Sequence, residues 1–156
     1  MKKDEIITLI PARKNSKGIK NKNIIKVNGK HLVQYTLDAV KNSKLSMKYC
    51  FTMTDDKRVK NICKKYGANT DYERPKNLSN DKTLFSENLM HFYKWTKYKS
   101  INFKYIIILQ PTSPMRTAKD LNSFLNLLEK KMPESLISIS KSLENPQESI
   151  FLRNKK

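Results

Sequence analysis

Mostly apolar runs of strand length alternate with helical stripes along this chain, and that alternation restricts the fold more than any other feature. The runs are Ile6–Ile10, Tyr49–Met53 and Tyr105–Leu109. After the first, Leu32, Val33, Thr36, Leu37 and Val40 recur with helical spacing. After the second, Val59, Ile62, Cys63 and Tyr66 fall at i, i+3, i+4 and i+7, one buried stripe of a helix. Phe85, Leu89, Phe92 and Trp95 form another stripe, and Leu121, Phe124, Leu125 and Leu128 follow the third run. Strands separated by helices pair in parallel through right-handed crossovers, so the expected class is α/β with a mostly parallel sheet. Tyr105–Leu109 is β-branched and apolar on both faces, which predicts a central strand covered by helices on each side.

Local signals fill in the rest. Asn69–Tyr72 and Leu136–Ile139 are expected as further short strands. Asn28-Gly29 reads as a turn pair, Gly67 as a helix C-cap, and Glu73–Lys82, with Pro75, as a loop. Thr117-Ala118-Lys119-Asp120 resembles a capping box, with Asp in the usual Glu position. A chain of 156 residues is long enough for one domain with a real core. That domain is expected over 1–142, with 143–156 as a tail in which the pattern dissolves.

Composition narrows the functional classes. The Tyr105–Leu109 run is far too short to span a bilayer. Met1–Glu5 leads into no long apolar segment before Pro11, so no signal peptide and a cytoplasmic location are expected. The net charge is +18, from 32 basic and 14 acidic residues. The lysines are spread along the chain rather than gathered in one arm, which favours a solvated basic surface over a nucleic-acid interface. Cys50 and Cys63 form no C-x-x-C pair and read as reduced core thiols. His31 and His91 have no partners at ligand spacing.

In a parallel sheet, ligands sit beyond the carboxyl ends of the strands. Three polar segments fall there: Ala12–Asn23, Thr54-Asp55-Asp56 and Gln110–Arg116. The first carries Arg13, Lys17 and Lys22 around Gly18, with Ser16 and Asn23 beside them. Glycine admits close backbone approach to an anion, and free N–H groups around it suit phosphate. The loop matches neither the Walker pattern nor a dinucleotide fingerprint, so a plain basic loop stands as the alternative. In the third segment two prolines brace the backbone. Gln110, Thr112 and Ser113 offer donors and acceptors for a base or a sugar hydroxyl, and Arg116 suits a carboxylate or phosphate. Asp55 is a weak metal candidate, with helix capping an equal reading for the Asp pair. Arg74 opens the following loop, toward nucleotide or solvent.

Together these segments resemble the acylneuraminate cytidylyltransferases, or CMP-sialic acid synthetases, from Ile6 to about Ile139. The carriers are Pro11-Ala12-Arg13-Lys14-Asn15-Ser16-Lys17-Gly18 with Lys22-Asn23, then Thr54-Asp55, Arg74-Pro75 and Leu109–Arg116. The resemblance implies a three-layer, Rossmann-like nucleotidyltransferase fold. It implies transfer of CMP from CTP to a nonulosonic acid, with pyrophosphate as the leaving group. Arg13, Lys17 and Lys22 would neutralise the triphosphate, and Ala12, Ser16 and Gly18 would complete the CTP loop. Asn23 and Arg74 would help select cytosine and hold the nucleotide, and Gln110 would lie between it and the sugar. Mg²⁺ would bridge phosphate oxygens. The family's dimerisation arm and its metal-holding aspartate pair have no counterpart here, since no Asp follows Asp120. The chain is therefore expected to bind CTP weakly and to turn over slowly or not at all. A non-catalytic nucleotide-binding fragment or half of a split enzyme is the alternative.

Lys17→Ala is expected to weaken CTP binding and leave the far-UV circular dichroism unchanged. Titration with CTP checks this; unaltered affinity would remove the role assigned to the loop.

Overall fold

The computed structural model describes residues 5–14, 18–80 and 83–139. Ile6–Pro11 (β1) is buried along nearly its whole length. It is followed by a hairpin of Lys26–Val27 (β2) and Lys30–His31 (β3), and then by helix Leu32–Lys41 (α1). Asn28 and Gly29 form the hairpin turn with φ of 48° and 79°. Positive φ at both positions is what a tight primed turn requires. Cys50–Met53 (β4), Lys57–Lys65 (α2), Phe85–Tyr98 (α3), Tyr105–Ile108 (β5) and Ala118–Lys131 (α4) complete the order.

The described main sheet has the order β4-β1-β5, and both pairings are parallel. β1 pairs Thr8 with Cys50 through Pro11 with Met53 on one side, and Ile6 with Tyr105 through Leu9 with Ile108 on the other. Side chains alternate across β1. Ile6 and Ile10 enter a core made with α1, α2 and α4, through Val33, Leu37, Val59, Cys63, Leu121 and Leu125. Ile7 and Leu9 enter a second core with Phe51, Tyr72 and Phe92, the last from α3. The result is the expected three-layer α/β arrangement.

Three expectations change. Tyr105–Ile108 is an edge of the sheet among the described residues, and β1 takes the centre. An apolar pattern reports that both faces are covered; it carries no information about which strands lie alongside. Asn69–Tyr72 contributes one parallel bridge, Asn69 to Phe51, rather than a strand. The Asn69 side chain accepts from the Asp71 N–H at 2.9 Å, turning the backbone away from the ladder. Leu136–Ile139 is not a strand either. Its alternation is present, but a cleft lined by both β5 and Leu136–Ser138 lies there in place of a ladder.

The capping signals are realised. Thr117 Oγ1 accepts from the Asp120 N–H at 3.2 Å, and Asp120 accepts the Thr117 N–H at 2.8 Å. Gly67 ends α2 with φ of 81°. Cys50 and Cys63 are free and buried; burial raises both thiols, Cys63 to about 12, and keeps them unreactive.

Phe92 is fully buried and meets Tyr72, Phe51 and Trp95 with ring centroids 5.1, 5.7 and 5.9 Å away. Phe92→Ala is expected to cost about 3–5 kcal/mol, read as a lowered urea midpoint at constant slope.

Candidate functional site

β4 and β5 lie on opposite sides of β1, so the strand order reverses at the end of β1. A crevice opens at such a reversal. Ala12 anchors it from below. It is buried, its N–H donates to the Met53 carbonyl at 3.0 Å, and its own carbonyl accepts from the Thr54 hydroxyl at 2.6 Å. Both backbone groups of Ala12 are thus spent on joining the ends of β1 and β4.

The loop after Ala12 is held at both ends. Asp55 accepts the Lys14 N–H at 2.7 Å. The side chain of Asn23, in the helical turn Lys22–Ile24, donates to the Arg13 carbonyl at 3.0 Å. Asn21, with φ of 56°, accepts from Arg58 at 2.9 Å. Arg58 in turn grips Asp56 through Nε at 3.0 Å and Nη2 at 2.8 Å. Asp56 also caps α2 by accepting the Arg58 N–H at 2.9 Å. The Arg58 side-chain hydrogen bond holds the Asp56 carboxyl below the ordinary carboxylate range. Of the two carboxylates, then, Asp56 caps a helix and Asp55 pins the loop.

A cleft of about 440 Å³ lies above these contacts, within the range of small-molecule sites. Arg13, Gly18, Lys22 and Asn23 line it from the first loop. Arg74 lines it from the loop before α3, and Gln110 and Thr112 from the segment after β5. Arg74 donates through Nε and Nη2 to the Leu78 carbonyl at 3.1 and 2.7 Å, which fixes its head group. Burial lowers the Arg74 pKa, Asp55 counters that, and Arg13 adds to it, which sets the three charges close together. Three cations line the cleft and no carboxylate does, among the described residues.

Gln110 also lines a second cleft, of about 580 Å³, with Ser113 and Arg116. Arg116 Nη2 donates to the Gln110 carbonyl at 3.4 Å, whereas its Nη1 is buried with no hydrogen-bond partner among the described residues. Burial lowers the Arg116 pKa and Asp120 opposes that.

The structure therefore gathers Arg13, Gly18, Lys22, Asn23, Arg74, Gln110 and Thr112 around one cleft, and Gln110, Ser113 and Arg116 around its neighbour. Ala12 stands behind the wall rather than in it. Ser16 and Lys17 lie outside the described residues, as does 143–156. Asn80, Thr83, Phe85 and Asn88 line the first cleft without having been singled out. For Asn88 a signal exists: it interrupts the apolar stripe of α3 between Phe85 and Leu89.

The described residues do not by themselves make a magnesium site. Among those described there is no group of three His, Cys, Asp or Glu side chains, and Asp55 and Asp56 are engaged with Lys14 and Arg58. No helix among the described residues is long and apolar enough to cross a membrane.

A sequence profile of the family described as Cytidylyltransferase matches residues 7–155. The chain belongs to the cytidylyltransferase family. The N-acylneuraminate cytidylyltransferase of Escherichia coli is 34% identical over 142 residues, covering 88% of this chain and 32% of that protein. Post-translational flagellin modification protein B of Campylobacter coli is 31% identical over 144 residues, covering 91% of this chain and 60% of that protein. The chain thus spans less than two thirds of either relative. A CMP:2-keto-3-deoxy-manno-octonic acid synthetase solved with CTP superposes with a TM-score of 0.63 at 20% identity, covering 82% of this chain and 48% of that one. The shared fold follows from that likeness.

Asp56→Ala is expected to cost about 1 kcal/mol at neutral pH through loss of the cap. The folded Asp56 pKa lies below its unfolded value. Its contribution is therefore complete above about pH 4 and is lost as pH falls through the folded pKa. Urea unfolding at pH 7 and pH 3 should show the gap between wild type and variant closing at the lower pH.

Proposed function

We propose that this chain binds CTP in the first cleft and transfers CMP to a nonulosonic, sialic-type acid, supplying an activated sugar for surface-glycan synthesis in the cytoplasm. The observation that carries this reading is that Gln110 belongs to both clefts, with the cations of one on one side and Arg116 on the other. The relatives named above as cytidylyltransferase and CMP synthetase support it.

The anomeric hydroxyl of the acid attacks the α-phosphorus, a new C–O–P link forms, and the bond to the β-phosphate oxygen breaks. The hydroxyl proton passes to solvent, and pyrophosphate carries away the displaced electron pair. This displacement needs positioning and charge neutralisation more than covalent help. Arg13 and Lys22, with Arg74, meet the charge gathering on pyrophosphate. Their positions are set in advance by Asn23, Asp55 and the Leu78 carbonyl, so little reorganisation is needed at the moment of reaction. Arg116 has a buried donor still to satisfy, and a sugar-acid carboxylate would satisfy it.

Incubation with CTP, Mg²⁺ and a panel of nonulosonic acids, followed by measurement of pyrophosphate and CMP-sugar, tests the reading. Slow product formation is expected, and Gln110→Ala is expected to lower kcat/KM about 10- to 100-fold with a smaller change in CTP affinity. CTP binding without product for any acid would instead identify a non-catalytic nucleotide-binding module.

A further inference from the structure

We infer that Asn88 helps to distinguish cytosine from uracil, by accepting a hydrogen bond from the exocyclic amino group of the base. This rests on the reading of the first cleft as a nucleotide site. Asn88 forms part of that cleft's wall and is only 1% exposed. Its Oδ1 is buried without any hydrogen-bond partner, among the described residues. A buried acceptor left empty is costly and rare, and a cleft wall is where a ligand donor can relieve it.

The amide has a fixed orientation. Asn88 Nδ2 donates to the Leu84 carbonyl one turn earlier at 3.2 Å. Rotating the amide would trade that bond for a repulsive contact between two oxygens. The group left over is therefore an acceptor, not a donor. The pyrimidines differ at ring position 4, where cytosine carries an amino donor and uracil a carbonyl acceptor. An acceptor pinned by Leu84 pairs with the first and opposes the second. Phe85 lies three residues earlier on the same helix, lines the same cleft and is 42% exposed, leaving an aromatic ring open beside Asn88. A planar base has a surface to lie against there. Arg13 and Lys22 line the cleft from the loop after β1, and Arg74 lines it from the loop before α3.

The test is calorimetric titration of the full chain with CTP, UTP and inorganic tripolyphosphate, for wild type, Asn88→Leu and Asn88→Ala. Asn88→Ala removes the acceptor without added bulk should Asn88→Leu fail to fold. Wild type should prefer CTP to UTP. In either folded variant CTP affinity should fall about tenfold or more, the preference should vanish, and tripolyphosphate affinity should be unchanged. A preference for CTP that survives both substitutions overturns the assignment. So does an equal loss for CTP and UTP, which would mean that Asn88 reads the shared ribose or supports the fold. Wild type that binds tripolyphosphate but neither nucleotide would overturn the nucleotide reading itself, a result distinct from the other two.

Discussion

The site depends on β1 lying between β4 and β5. Its backbone pairs on both sides, and its side chains enter both cores, so its carboxyl end is held from every side. Ala12 extends that rigidity by one residue through its two bonds to Met53 and Thr54. A loop leaving any other strand end would start from a looser platform. The reversal of strand order at β1 also opens the crevice, because crossovers leave to either side and neither covers the gap.

On that platform the charges are held by structure rather than by one another. Asn23 ties the returning arm of the loop to the Arg13 carbonyl, Asp55 ties the outgoing arm at Lys14, and Arg58 holds Asn21 from α2. Arg74 is fixed by the Leu78 carbonyl. Burial disfavours the charged form of Arg74 and the nearby Arg13 adds to that, as the lowered Arg74 pKa records, while Asp55 opposes both. The hydrogen bonds of Arg74 to the neutral Leu78 carbonyl meet part of that cost without removing its charge. The incoming anion is then the partner that completes the arrangement.

The layers and the site loops were readable from pattern because each depends on local chemistry. Apolar periodicity located all four described α-helices. Asn28-Gly29 and Gly67 marked their turns because few other residues adopt positive φ, and Thr117 marked its cap because its hydroxyl accepts a first-turn N–H. Two of the three errors share one physical origin. Whether Tyr105–Ile108 is an edge, and whether Leu136–Ile139 finds a ladder, depends on which backbone lies alongside, and a strand's own side chains carry little trace of its neighbours. The same holds within the site. Arg13, Lys22 and Gln110 announced themselves by charge or by position between prolines. Asn88 left only a polar break in the apolar stripe of α3, because the role inferred for it comes from a missing partner in three dimensions.

Gln110 gives the two clefts a common boundary, and this bears on how one chain could keep two anions apart. Triphosphate and sugar acid are both negative, and a single basic hollow would bind either in either place. Here the cations of the first cleft lie at the end of β1, and Arg116 lies beyond Gln110 near the start of α4. Asp120 sits in the second cleft beside Arg116, so that side has less positive charge to offer. The more highly charged ligand is thereby directed to the first cleft, where no carboxylate lines the wall. Discrimination between the two anions then follows from where the carboxylates were placed as much as from where the cations were.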